Sequence, residues 1–92
     1  MHVRWERGGE ANVLSLEVDA ITLRSSVPAP PGARVKGVLD EIGNAQILVK
    51  VHGSKKQSDG SFLIEGRAID MKRDLRVSIE TTLEKPRETA KK

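Results

Sequence analysis

The chain has 92 residues, of which 37% are hydrophobic and 32% charged, a balance typical of one small folded domain. It contains no cysteine, which excludes disulfides, thiolate metal sites and cysteine nucleophiles. No apolar run is long enough for a transmembrane helix and residues 1–7 lack a signal-peptide core, so we expect a soluble, cytoplasmic protein that does not bind a membrane. The net charge of +3 permits an anionic partner without requiring one.

Apolar residues recur at every second position in the first part of the chain, which predicts β-strands. Residues 3–5 form a first strand, and Gly8-Gly9 supply a tight turn. Residues 11–18 form the return strand, and the alternation over 21–24 indicates a third strand or a bent continuation of the second. In the return strand, the alternation assigns three residues to the inner face, namely Leu14, Leu16 and Val18.

The segment 25–32 contains three prolines, which exclude regular structure there. A turn at 40–44 and a loop at 53–60 then separate three further strands, which are predicted over 34–39, 47–52 and 61–69. Five or six short strands with turns at close intervals are typical of a small antiparallel β-barrel.

The segment 70–83 fits two patterns. Its alternation over 75–80 suits a strand, whereas Asp70 suits a helix N-cap and four apolar residues recur every four positions, namely Met71, Leu75, Ile79 and Leu83. We expect a helix that covers one open end of the barrel. Residues 84–92 have no apolar period and are predicted to be a disordered charged tail, so the folded domain is expected to span 1–83.

No combination of residues indicates catalysis or a metal site. His2 and His52 each lack a second ligand at metal spacing, and neither a phosphate-binding glycine loop nor a nucleophile elbow is present. We therefore predict no catalytic residue, no metal, no cofactor and no enzymatic activity. Lys55-Lys56 is interpreted as a solvated hairpin tip, with a contact to phosphate or to an acidic protein as the alternative.

Several segments of the chain resemble a PilZ domain. Val13-Leu14-Ser15-Leu16 followed by Ile21-Thr22-Leu23-Arg24 resembles the opening hairpin of that family. The segment 28–35 is similar to its Pro-Gly turn into the next strand, and Val49-Lys50-Val51, Asp59-Gly60 and 62–70 are similar to its later strands. The resemblance covers about residues 1–83 and implies a six-stranded antiparallel barrel with a C-terminal helix, used in bacterial signalling.

The resemblance also implies a ligand, because many PilZ domains bind cyclic di-GMP through an Arg-x-x-x-Arg segment and an Asp/Asn-x-Ser-x-x-Gly motif. The residues of this chain that would bind it are Arg4, Arg7, Asn12, Ser15 and Asp19. The motif is degenerate here, since Arg4 and Arg7 are three residues apart and would face opposite sides of an extended segment. Alignment on Ser15 places Val13 at the Asp/Asn position and Val18 at the Gly position.

In this family a degenerate motif implies a protein-interaction module. We therefore predict a non-catalytic signalling adaptor whose partner is a protein and whose cyclic di-GMP binding is weak, altered or lost. The expected contact surface is an exposed edge strand or the loop 25–32.

Two alternatives stay open. A genuine cyclic di-GMP effector would need a bulge near 17–19 that restores the register, so that Arg4 and Arg7 converge on Ser15. An SH3- or OB-like barrel would bind nucleic acid instead. The interleaved acids and the content of one Trp, one Phe and no Tyr count against that alternative, because stacking platforms for bases are missing.

Overall fold

Six strands and one helix make up the chain in the computed structural model, which describes residues 1–18 and 20–90, with side chains for 1–18 and 20–83. In chain order the elements are β1 (His2–Trp5), β2 (Glu10–Glu17), β3 (Ala20–Ser25), β4 (Arg34–Leu39), β5 (Ala45–Lys56), β6 (Phe62–Ala68) and α1 (Arg73–Ala90). The third strand is thus a separate element rather than a bent continuation of the second.

The six strands form a closed barrel in the order β1-β2-β3-β6-β5-β4, and every neighbouring pair is antiparallel. Two three-stranded meanders, β1-β2-β3 and β4-β5-β6, join along two seams, β1–β4 and β3–β6. The linker between β3 and β4 connects the two meanders. It contains the three prolines of the segment 25–32, which was predicted to lack regular structure. The predicted fold, a small six-stranded antiparallel barrel followed by a C-terminal helix, is confirmed.

Apolar side chains from alternate positions of every strand fill the barrel, as a half-buried sheet requires. The side chains that are less than 2% exposed are Val3, Ile21, Leu23, Ser25, Leu39, Val49, Val51, Ile64 and Ile79.

Strand β2 departs from strict alternation because it contains a β-bulge. The register with β3 shifts between Val13 and Ser15, which leaves Leu14 as the extra residue. Val13 and Leu16 are therefore both buried, whereas Leu14 is 45% exposed and Val18 is 69% exposed. The prediction that Leu14 and Val18 face the core is wrong, and that for Leu16 is confirmed.

The β5–β6 hairpin is longer than the sequence pattern predicted. Strand β5 continues to Lys56, which pairs with Phe62, so the predicted loop 53–60 is reduced to a tight turn. Asp59 holds this turn, since its carboxylate accepts hydrogen bonds from the Ser61 amide at 2.9 Å and the Ser61 hydroxyl at 2.6 Å. Strand β4 reaches only as far as the Arg34–Lys50 pair, so in the described part of the chain no strand pairs with the other edge of 52–56.

Helix α1 covers the end of the barrel at which β2, β4 and β6 finish, here called the helix end. It contacts β2, and Ile79 is fully buried in the core cluster. Met1 and Ile42, from the same end of the barrel, pack against that cluster together with Leu75 and Leu83 of the helix. The predicted helix is thus confirmed.

The helix begins and ends later than predicted. It starts at Arg73, and Asp70 has a φ of 54°, so Asp70 is not its N-cap. It continues through residue 90, over most of the segment predicted to be a tail, while residues 91 and 92 lie outside the described part of the chain. The domain limit at residue 83 stays a prediction. In the residues described, no helix has the length and hydropathy needed to cross a membrane.

Candidate functional site

The structure spreads the predicted ligand residues over the outside of the first meander. Arg4 lies on β1 opposite Glu10, and Arg7 lies in the β1–β2 turn. Ser15 is about five residues further along β2, which is roughly 16 Å for an extended chain. Arg4 and Arg7 therefore do not converge on Ser15.

The remaining two predicted residues do not complete a cluster. Asn12 lies on the outer face of β2 between His2 and Arg24, and Asp19 lies outside the described residues. The bulge that the effector alternative needed near 17–19 lies instead between Val13 and Ser15. Whether these five residues bind a ligand stays a prediction.

Arg4 is engaged in an ion-pair cluster across the β1–β4 seam. Its guanidinium donates to both carboxylate oxygens of Asp40, with Nη2 at 2.7 Å from Oδ1 and Nε at 3.0 Å from Oδ2. The His2 ring lies 3.2 Å from Asp40 and 2.5 Å from Glu10, and the His2 amide donates to Glu41 at 2.8 Å. The cluster thus ties β1 to β2 and to the β4–β5 turn.

These contacts shift the pKa values of the cluster in opposite directions. Hydrogen bonds to Glu10 and Asp40 raise the pKa of His2 above its ordinary 6.5. The Arg4 guanidinium, followed by His2, lowers the pKa of Asp40 below its ordinary 3.8. The range of pH in which His2 and Asp40 are both charged is therefore wider than it would be for the isolated side chains.

A pocket of about 180 Å³ opens at the opposite end of the barrel, here called the open end. Its apolar lining comes from β1, β4, β6 and the loop after β3, through Trp5, Val27, Pro28, Ala29, Val35 and Ile64. Arg7 and Gly8 of the β1–β2 turn complete it, and Arg7 is the one charged residue in this lining. The pocket is thus an apolar recess with a cation at one side.

Trp5 forms one wall of the pocket and is held in place from two sides. Its indole Nε1 donates to the Ser25 hydroxyl at 3.0 Å, and that hydroxyl donates to the Val27 carbonyl at 2.7 Å. On strand β4, a Cβ added at Gly37 would lie 2.9 Å from the ring and 2.5 Å from Val3, so the indole packs closely against bare backbone. The ring and the loop are therefore positioned together.

The loop that follows β3 is tied to the barrel by backbone hydrogen bonds. The Ser26 amide donates to the Glu10 carbonyl at 2.8 Å, and the Gly32 amide donates to the Val51 carbonyl at 2.7 Å. Although its prolines exclude regular structure, the loop is therefore anchored at both ends beside the pocket.

The pocket was only partly foreseen from sequence. The loop 25–32 was predicted as a contact surface, but nothing in the sequence pairs it with Trp5 or Ile64. A compositional signal did exist, since Trp5 is the only tryptophan and follows a strand pattern into a Gly-Gly turn. Within residues 1–18 and 20–90, no group of three or more His, Cys, Asp or Glu side chains is placed to hold a metal ion.

Comparison of the chain with protein-family models, with curated proteins and with solved structures found no match. What the structure shows is the class of fold, a closed six-stranded antiparallel barrel with one C-terminal helix.

Proposed function

We propose that this protein is a non-catalytic signalling module of the PilZ type that acts by binding a protein partner through the open end of its barrel. Cyclic di-GMP binding is weak, altered or lost in this proposal. The observation that carries it is the apolar pocket beside Trp5, because it offers a preformed contact surface at the loop 25–32, one of the two contact surfaces predicted from the sequence.

The backbone at Val18 supports the PilZ resemblance. Val18 stands where that family has a motif glycine, and its φ of 57° lies in the left-handed region that glycine adopts without strain. A β-branched residue is rarely found there. At this position the chain therefore has a glycine-type backbone conformation without a glycine.

The surroundings of Arg4 and Arg7 support the proposal that cyclic di-GMP binding is weak or lost. Arginine would recognise guanine or phosphate through its donor fork, but the Nε and Nη2 donors of Arg4 are already directed at Asp40. Arg7 lies beside the apolar pocket, far along the hairpin from Ser15. A ligand would have to displace Asp40 from Arg4 and span the length of β2.

The closed sheet favours the loop over an edge strand as the contact surface. Each of the six described strands has two neighbours in the closed barrel, but the last part of β5, residues 52–56, lacks a partner on one side. That part carries Lys55 and Lys56, and charged lysines on an exposed edge oppose pairing with another strand. By contrast, the side chain of Val27 at the pocket is apolar and 37% exposed, so it can contact a partner.

A thermal melt with cyclic di-GMP, compared with cyclic di-AMP and GTP, tests the nucleotide part of the proposal. A ligand at one hundred times its Kd adds about 2.7 kcal/mol, or several degrees of Tm in a domain of this size. We expect no selective shift at millimolar ligand. A selective shift that disappears in Arg4→Ala would overturn the proposal in favour of the effector.

Site-specific photo-crosslinking in cells tests the protein-binding part. A crosslinking amino acid at position 27 lies at the open end, and the same amino acid at position 17 of β2 lies near the helix end. We expect a discrete protein adduct from position 27 only. Adducts that are equal at the two positions, or that contain nucleic acid, would contradict this surface.

A further inference from the structure

We infer that the open-end pocket receives a single aromatic or branched apolar side chain from a partner protein, and that Arg7 pairs with a carboxylate adjacent to that side chain in the partner's sequence. This inference rests on the proposed function, and it specifies the chemistry by which the partner is recognised.

The size of the pocket matches one side chain. Its volume of about 180 Å³ is close to the roughly 150 Å³ of an apolar cavity that takes up benzene. Sites for drug-sized molecules are larger, at about 300–1,000 Å³. A dinucleotide or an extended cofactor does not fit, whereas the ring of a phenylalanine or a branched aliphatic side chain does.

The rigidity of the pocket favours an anchoring contact. Trp5 is 7% exposed and hydrogen-bonded to Ser25, and the same hydroxyl accepts the Val27 amide at 3.1 Å. Because the walls are fixed before binding, little ordering of side chains is required when the anchor enters. Binding energy at protein interfaces is concentrated in such pockets, where one side chain becomes fully desolvated.

The positive charge of Arg7 beside the pocket favours a partner with an acidic residue next to the apolar side chain that enters the pocket. Arg7 forms no ion pair with any described residue, in contrast to Arg4, which is paired with Asp40. Lys55 and Lys56 lie on the β5–β6 hairpin, which projects from the same end of the barrel. A carboxylate next to the anchor would give Arg7 a partner at a partly desolvated rim, where charge mainly determines specificity.

Short blocked peptides test the inference on the whole protein, with Trp5 as the probe. Since Trp5 is the only tryptophan and lines the pocket, its fluorescence and its indole NMR signal report occupancy directly. The probes are acetyl-Glu-Phe-Glu-amide, its Gln-Phe-Gln analogue without charge, and its Glu-Ala-Glu analogue without the anchor. We expect saturable binding of the first, about two- to fivefold weaker binding of the second, and at least about tenfold weaker binding of the third.

Two variants and a matched control separate charge from packing. Arg7→Gln should remove the preference for Glu-Phe-Glu over Gln-Phe-Gln, whereas Lys50→Gln, which removes a cation from the exposed face of β5, should leave it unchanged. Val27→Gln, at an exposed position that tolerates a polar side chain, should weaken the binding of Glu-Phe-Glu and of Gln-Phe-Gln alike. The Trp5 indole signal in the free variants shows whether each is folded.

The inference is overturned if no peptide perturbs Trp5 in the folded protein, or if the preference for Glu-Phe-Glu survives Arg7→Gln. Its failure is distinguishable from failure of the proposed function. A selective cyclic di-GMP shift would remove the proposed function even if the peptides bind. Absence of peptide binding together with a protein adduct at position 27 would leave the proposed function standing and remove only this mode of recognition.

Discussion

Val18 holds its backbone in a conformation that its side chain disfavours. Non-glycine residues at positive φ cost of the order of 1–3 kcal/mol, and Val18 recovers little by burial because it is 69% exposed. We expect Val18→Gly to raise the free energy of unfolding by about 1 kcal/mol, after the greater chain entropy of glycine in the unfolded state is subtracted. Urea denaturation at equilibrium measures this change.

Asn44→Gly is the matched control for Val18→Gly. Asn44 has nearly the same φ, at 58°, and is also exposed, but asparagine tolerates the left-handed region. Its replacement should therefore give a clearly smaller gain. Equal gains at the two positions, or a loss at Val18, would show that the β-branched side chain is not the source of strain.

The cluster around His2 predicts a pH dependence of stability. The raised pKa of His2 means that its contribution is fully present below about 6.5 and is lost as the pH rises through the folded value. The lowered pKa of Asp40 means that its contribution is present above about 3.8 and is lost as the pH falls through the folded value. The cluster therefore stabilises the fold most between these two ordinary values.

NMR titration of the His2 ring measures its pKa directly, and we expect a value above 6.5. The charged groups that face the ring are Glu10, Asp40 and the neighbouring Arg4, with Glu41 on the His2 amide. The substitution His2→Gln should reduce the decrease in the free energy of unfolding that occurs as the pH rises from mildly acidic to neutral. A ring pKa at or below 6.5 would show that the carboxylates do not act on it in solution.

At the scale of elements, helix α1 packs against the barrel through one of its faces. Ile79 is fully buried, whereas Val77, two residues earlier, is 48% exposed. Truncating a buried isoleucine costs about 2–5 kcal/mol, so Ile79→Ala should destabilise the protein strongly. Val77→Ala removes a similar side chain from the surface and should change stability by no more than about 0.5 kcal/mol.

Thermal unfolding followed by far-UV circular dichroism compares these two helix variants. If Ile79→Ala and Val77→Ala shift Tm equally, the helix is not docked through Ile79. If the helix melts before the strands in Ile79→Ala, α1 is a separable layer on a barrel that is otherwise intact.

The strands were predictable because their apolar residues fall at one phase of the alternation. In β5, for example, Ile47, Val49 and Val51 are buried in a continuous period of two. The face of β2 was not predictable, because Val13 and Leu14 offer apolar side chains at both phases. Only the pairing with β3 shows which of them is the extra residue.

The candidate pocket was less predictable than the strands, for a topological reason. Trp5, Val27 and Ile64 come from distant parts of the sequence and meet only because the two seams close the barrel. The predicted ligand residues Arg4, Arg7 and Ser15 are closer in sequence but lie apart along an extended hairpin. The order of the strands in the barrel, rather than closeness in the sequence, therefore determines which residues meet at the pocket.

At the scale of the whole molecule, strands β5 and β6 of the second meander approach each other closely at Gly66. Gly66 pairs with Ile21 across the β3–β6 seam and with Val51 on the other side, and a Cβ there would meet the Lys50 carbonyl oxygen. We expect Gly66→Ala to destabilise the fold by about 1–3 kcal/mol, since β5 backbone would have to move.

Gly53→Ala provides the control for Gly66→Ala within the same sheet. An added Cβ at Gly53 meets nothing within 4 Å, so this substitution should be neutral or slightly stabilising in urea denaturation. Comparable losses at Gly53 and Gly66 would indicate a general intolerance of these strands to alanine rather than a steric limit between β5 and β6 at Gly66.

The two-meander construction also determines what the chain exposes while it is being made. Ladders within each meander join neighbouring strands, but the seams join residue 3 to residue 39 and residue 20 to residue 67. During synthesis the first meander can pair its own strands early, yet its apolar inner face has no cover until the second meander has emerged. A newly synthesised chain therefore passes through an interval in which a half-barrel with a bare apolar face is open to chaperones and to other half-barrels.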